Sequence, residues 1–454
     1  MKFSKIKSFI RVLLLFFSVG ISSQTLPEVK PKSGLVPQIP LYPYGRQQSN
    51  PHDRQSASPY NNGQHNPYRL NELSDIQKRN AAMIYEDMRH YQRIQMEMQR
   101  QSNIRMLIER SFPSQADIHN TSAYQHAFNE IEGMLKGEQP MNLGRVVFLV
   151  ENAYYEDSLI YDAYRKAIQA KAQLCNDKIK EGKYDRNNNV VKNMMLFSIL
   201  TDTMKIRTGG RTLINYPLKY DLDDYQSRIS FDSHFVTKLM RTGVGQCQSM
   251  PLYYLVLAEE LGAEAYWSTS PKHSFVKIKD ENEAWYNLEL TCGAVLTDAH
   301  YMNSSYIKVE ALQSRTYLEP LDKVNTIARM LIELAAGYYD KYGMDDFYLK
   351  CANTAAQYLA NDLDALLCKA AYETRLTLIL ANLLQASNPE ALKAKSPEAY
   401  KHFEAMHDLY KQIDDLGYEE LQEGVYAQWL RHIAKLKEES EKRDKSIFLP
   451  LPRD

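Results

Sequence analysis

The sequence has no excess of charge of either sign: 55 Lys plus Arg stand against 56 Asp plus Glu over 454 residues. That balance argues against an electrostatically driven nucleic-acid binder, which carries a clear basic surplus. There is no CxxC pair, so a zinc ribbon and a thioredoxin-like motif are absent, and no HExxH or P-loop occurs. Gly243-Val-Gly-Gln-Cys-Gln248 starts like a dinucleotide loop, but Gln248 stands where the third glycine belongs. Asp221-Leu-Asp-Asp224 starts like a calcium loop, yet Gln226 replaces the sharp-turn glycine and Asp232 the closing Glu. His119 and His126 share a face if their segment is helical, with no third ligand near. Neither a metal nor a cofactor is expected. Trp is scarce at 3 and Phe numbers 14, while Tyr reaches 32. A ring with a polar tip suits half-buried positions, so the Tyr excess points to many of them.

No apolar run after the first residues is long enough to span a bilayer, which takes about twenty residues. The first residues read as an address. Lys2, Lys5, Lys7 and Arg11 precede the apolar run from Val12 to Ile21, and Gly20, Ser22 and Ser23 supply small residues at its end. This is the order of a secretory signal peptide, 1–23, and it predicts an exported protein, periplasmic or secreted. An uncleaved anchor is the alternative. Five cysteines, Cys175, Cys247, Cys292, Cys351 and Cys368, leave an odd thiol in an exported chain.

Composition divides the rest. Residues 24–70 hold eight prolines from Pro27 to Pro67 among Gln, Asn, Ser and Gly, which predicts an extended disordered linker. Residues 71–210 read as helical. Ile76, Met83, Ile84, Met88, Tyr91, Ile94 and Met98 recur at steps near three and four, a face suited to a core or to a helix partner. Further helices are expected over 122–136, 143–154, 157–181 and 190–206, the last broken by Gly209-Gly210. In 211–320 a helix over 249–261, closed by Gly262 and opened with Pro251 in its first turn, precedes two alternating runs. Ser274–Ile278 and Trp285–Thr291 flank the polar turn Asp280-Glu-Asn-Glu283, a β-hairpin. Residues 321–454 return to helix, with expected helices near 398–416 and 418–441. Small residues Ala352, Ala355 and Ala356 follow Gly343 in a pattern like a tetratricopeptide hairpin. Cys351 and Cys368 could staple such a hairpin. The fold class read from this order is α+β.

One constellation carries chemistry. Cys247 follows Gly243 and Gly245 and precedes a helix, where the macrodipole favours a thiolate, the attacking form. The glycines would let a substrate backbone approach. His273 opens the next strand and could take the thiol proton and return it to a leaving group. Asn287 and Glu289 share a face of the strand after that, and either could orient the imidazole. Gln246 and the backbone N–H of Cys247 are candidates for an oxyanion site. The plainer readings are a buried thiol, a structural imidazole, a solvated carboxylate and an exposed loop amide. Cys292, three residues after Glu289, could approach Cys247 or stand as an inert structural thiol.

The order of Cys, helix, strand with His, strand with an acid or amide resembles the transglutaminase-like, papain-related superfamily. The matching residues are Gly245-Gln-Cys247, Pro271-Lys-His273 and Trp285-Tyr-Asn-Leu-Glu-Leu-Thr291. They cover roughly a quarter of the chain with their surroundings. The family's acid, commonly Asp two residues before a Thr, is here Glu289; Asn287 offers the amide that papain-like relatives use. The resemblance implies a papain-like domain and a thiol-dependent acyl transfer on a protein or peptide, as peptidase, amidase or transglutaminase. The alternative is a non-catalytic binding module, with a protein partner on the C-terminal helices.

Overall fold

The computed structural model describes residues 67–225, 227–305 and 307–419, together with Arg431, Lys435 and Glu438. The expected signal peptide, all of the linker before Pro67 and most of the helix near 418–441 lie outside the described residues. Helix begins at Pro67, inside the stretch expected to be linker, and α1 runs Pro67–Ser111. The part of α1 up to Ser102 belongs to a unit of its own. Its Met83, Ile84, Met88, Tyr91 and Met98 are all exposed, so the apolar steps read as core or helix-partner surface are not core.

From Asn103 the described chain forms one compact unit. Helices α2 (Ser122–Leu135), α3 (Leu143–Tyr154) and α4 (Tyr161–Glu181) follow the expected spans closely. Each apolar stripe is buried: Phe128 and Ile131, Val146 and Val147, Ile168 and Cys175. Helix α5 (Asn189–Thr201) is shorter than expected. Met204–Thr208 is a strand, β1, paired antiparallel with β2 (Arg211–Asn215) across Gly209-Gly210. The glycines form a hairpin turn rather than a helix end, and pairing pulls 204–208 out of the helical run. The segment from Ser114 to Thr121 is not a helix continuous with α2, so His119 and His126 share no helical face; His119 stacks on Tyr342.

The site region is built next. A short β3 (Lys219–Tyr220) lies parallel to β4 (Val244–Gly245), with α6 (Val236–Thr242) between them. Helix α7 (Ser249–Leu261) is apolar on nearly all sides and is buried accordingly. It packs on α3, α4 and α5 and on β5 and β6. Pro251 sits in its first turn and Gly262 caps its end, as the sequence predicts. A four-stranded antiparallel sheet follows in chain order: β5 (Tyr266–Ser270), β6 (His273–Lys279), β7 (Trp285–Glu289) and β8 (Ala294–Leu296). The remaining elements are helices: α8 (Asp298–Ser304), α9 (Val309–Gln313), α10 (Lys323–Tyr342), α11 (Asp346–Ala355), α12 (Leu363–Leu383), α13 (Pro389–Lys395) and α14 (Pro397–Asp415). Helix α10 packs on α11, and also back on α2 and α3. Helices and small sheets together make the chain α+β. No helix among the described residues is long and apolar enough to cross a membrane.

Candidate active site

Two glycines set the approach to Cys247. Gly243 ends α6 with a left-handed φ of 71°, which a side chain rarely adopts. A Cβ on Gly245 would lie 2.8 Å from Ser249 Oγ and 2.9 Å from a Leu239 methyl. Their role is therefore local: they let α6 turn tightly into β4 and pack against the start of α7. The first i→i−4 bond of α7 runs from Met250 N–H to Gln246 C=O at 3.1 Å, so Cys247 sits inside that opening turn. Ser274 Oγ–H donates to Cys247 C=O at 2.6 Å and ties the turn to β6. Cys247 is half-buried, while the other four cysteines are buried, and no disulfide joins any of the five. Cys351 and Cys368 therefore do not staple the hairpin, and Cys292 is not locked to Cys247.

Strand register places the imidazole partner. Pairing of Val276 with Leu288 and of Lys277 with Asn287 puts His273, Phe275 and Lys277 on the same face as Asn287 and Glu289. Continued by three residues, this register sets His273 beside Thr291, so Glu289 is a diagonal neighbour. Diagonal Cα atoms stand about 7–8 Å apart, and a Glu spans that gap where a shorter acid would fall short. Glu289 Oε2 lies 2.6 Å from His273 Nε2, with both side chains buried. Asn287 is two residues further along and does not reach the ring. Its Nδ2–H donates to Asp298 at 2.8 Å, which removes it from the orienting role.

The other side of the imidazole meets the thiol. Cys247 stands close enough to act on the ring electrostatically, and both residues line one cavity. Burial disfavours a charged ring, but the Glu289 charge, the neighbouring Cys247 side chain and the hydrogen bond to Glu289 outweigh it and push His273 up to about 10. Burial likewise opposes the Glu289 carboxylate. The His273 cation and the bonds from His273 and Thr291 prevail and hold it below the usual carboxylate range.

Gln246 is buried rather than exposed. Its Nε2–H donates to Asp224 C=O, which fixes the amide orientation, and Oε1 accepts from Ser227 Oγ–H at 2.8 Å. The Ser227 oxygen in turn lies 3.2 Å from His234 Nδ1. The side chain thus anchors the loop before α6, and this takes it from the oxyanion role expected of it. Burial pulls His234 down to about 4, so that ring stays neutral.

Cys247 and His273 open on a cavity of about 730 Å³. Its walls include His234 and Phe231 on one side, Trp267 and Ser270 from β5, and Arg329 and Glu333 from α10. Arg329 lies over the Trp267 ring at 5.4 Å and pairs with Asp362 and Asp364. Glu333 and Gln248, the residue after the thiol, line the same cavity. The helices of the C-terminal region therefore form one wall of the space that the thiol faces, which no sequence motif announces. Tyr301 is a second residue without a sequence signal: its hydroxyl donates to Glu289 Oε2 at 2.8 Å. Among the described residues, no group of three His, Cys, Asp or Glu side chains is placed to hold a metal ion.

Searches of protein-family models, curated proteins and solved structures found no match.

Proposed function

We propose that this protein is an exported thiol-dependent acyl-transfer enzyme with a transglutaminase-like, papain-related site. The observation that carries the reading is the line Cys247–His273–Glu289, ending in an open cavity of about 730 Å³. With Nε2 engaged by Glu289, Nδ1 is the ring nitrogen left for the thiol. Cys247 Sγ attacks an amide carbonyl, and the C–S bond forms as the C–N bond breaks. His273 carries the thiol proton to the departing amine. Glu289 stabilises the imidazolium and fixes the ring. The backbone N–H of Cys247, in the opening turn of α7, is the candidate donor to the oxyanion. Water or an amine then takes the acyl group from sulfur, giving hydrolysis or crosslinking of a protein or peptide.

The other reading is a non-catalytic binding module with a partner on the C-terminal helices. The extension of the cavity to α10 and α12 favours it, because that wall lies beyond the reactive groups. Brief iodoacetamide treatment with peptide mapping separates the two. The enzyme reading expects Cys247 to label first, and Cys247→Ser to abolish that adduct. Labelling of Cys175 or Cys351 ahead of Cys247 would sink it.

A further inference from the structure

Glu289 is gripped by more than His273. Its Oε1 accepts from Thr291 N–H at 3.0 Å and from Thr291 Oγ–H at 2.6 Å. Its Oε2 accepts from His273 Nε2 at 2.6 Å and from Tyr301 OH at 2.8 Å. Thr291 is a close neighbour in the chain, whereas Tyr301 arrives from α8. The Tyr301 ring stacks on Phe275 with centroids 4.0 Å apart and planes at 10°, and Phe275 shares a face of β6 with His273. The first residue of α8, Asp298, takes Lys277 Nζ of β6 at 2.9 Å and Asn287 Nδ2 of β7 at 2.8 Å. Helix α8 is thus fastened to both strands that carry the pair.

We propose that Tyr301 is a positioning residue of the site, its hydroxyl holding the Glu289 carboxylate in the one orientation that serves His273. The proposal deepens the acyl-transfer reading and rests on it. The terminal torsion of a Glu side chain is broad, so an imidazole alone does not fix the carboxylate plane. Thr291 holds Oε1, and Tyr301 adds the second donor on Oε2, itself fixed by the stack on Phe275. Burial and then the Glu289 charge hold the Tyr301 phenol well above its ordinary value, so it stays a neutral donor. A donor to an ionised carboxylate favours the charged form. Tyr301 therefore keeps the counter-charge of His273 in place to lower pH. The ionisable groups around Glu289 and Tyr301 are His273 of β6, Cys247 beyond the ring, Cys292, Asp298 paired with Lys277, and His300, whose ring meets that of Tyr301 edge-on at 5.6 Å.

Tyr301→Phe keeps the ring and loses only the hydroxyl. The rate of Cys247 alkylation by iodoacetamide is followed against pH on the full chain. The acidic limb is expected to move up by about one pH unit, with the plateau within about twofold and the melting temperature little changed. An unmoved limb would overturn the proposal. A second readout does not need a reactive thiol: the His273 Nε2–H proton resonance in histidine-labelled protein. Its loss on acidification is expected to move up by about the same amount in Tyr301→Phe, and no movement overturns the proposal. If Cys247 proves unreactive while this resonance shifts, the acyl-transfer reading fails and the positioning role stands. Should Tyr301→Phe not fold, difluorotyrosine at position 301 alone keeps the shape and donates more strongly. The same resonance should then persist to lower pH, and an unchanged or opposite response counts against Tyr301.

Discussion

At the scale of single residues, His273 and Glu289 are a buried ion pair, and each without the other would be a buried charge without its counter-charge. Removing one partner of such a pair costs about 3–5 kcal/mol. Glu289→Ala should lose that much near pH 6 in urea unfolding, and Cys247 should alkylate more slowly. Asn287→Ala loses one buried hydrogen bond to Asp298 and should cost about 1–2 kcal/mol with the alkylation rate unchanged. If Asn287→Ala slowed alkylation and Glu289→Gln did not, the orienting role would move to the amide. The pair also sets a pH window. His273 is higher in the folded than in the unfolded chain, so its contribution is complete below about 6.5 and is lost as pH rises through about 10. Glu289 is lower in the folded chain, so its contribution is present above the ordinary carboxylate value and is lost as pH falls through the folded one. The stability difference between wild type and Glu289→Ala should therefore shrink toward both pH 10 and strong acid.

At the scale of elements, the sharp features are the joints that deliver the thiol. Glu151 of α3 accepts from Val236 N–H at 2.6 Å and Thr237 N–H at 2.8 Å, so a buried carboxylate from another helix caps the start of α6. Burial outweighs those bonds and pushes Glu151 up to about 7. Between the ordinary carboxylate value and about 7 the folded chain keeps a proton that the unfolded chain has released. Stability from this group is full below that interval and falls as pH rises through it. Glu151→Gln should remove roughly 1–3 kcal/mol of that fall between pH 5 and pH 8, read from denaturant midpoints. An unchanged slope would mean the carboxylate is already ionised at the lower pH. The elements themselves were readable where one pattern dominated: α2, α3, α7 and the β6–β7 hairpin lie within a residue or two of expectation. Where two patterns overlapped, the longer one misled. The apolar run Met194–Leu200 carries on visually into Met204–Ile206, and only the pairing with Arg211–Asn215 separates them.

At the scale of the molecule, the compact unit starts at Asn103, and helices far apart in sequence close it. A chain starting at Pro67 should melt within about two degrees of one starting at Gln24, as checked by calorimetry, because the proline-rich stretch between them holds few large aliphatics to bury. A fall of many degrees would place those residues against the body. The candidate site was legible to the extent that chemistry follows chain order: Cys247 and His273 lie at element boundaries that the sequence marks, and Glu289 lies within the alternating run Trp285–Thr291. Tyr301, Glu333 and Arg329 were not, because their placement depends on how α8 and α10 return to the sheet and to α7. That information is spread over packing contacts and is held by no motif. Gln246 and Asn287 were misplaced for a related reason. Both stand beside a key residue in the chain, but loop closure and strand register, which the sequence does not spell out, send their amides elsewhere.

The cysteine arrangement also makes the folded chain a clock for its own opening. Burial pushes Cys175 and Cys368 up to about 12 and holds Cys351 well above its ordinary value, and these three lie in separate helices of the core. Cys175 and Cys351 are fully enclosed, so a thiol-specific mass tag can reach them only when the surrounding helices part, whereas Cys368 lines the cavity. Counting tags per chain over time therefore resolves local fluctuations of α4 from those of α11 and α12, without engineering a single probe into the sequence. If the helices part together, the tags on Cys175 and Cys351 arrive in one step; if the packing of α11 on α12 loosens first, Cys351 is marked while Cys175 stays dark.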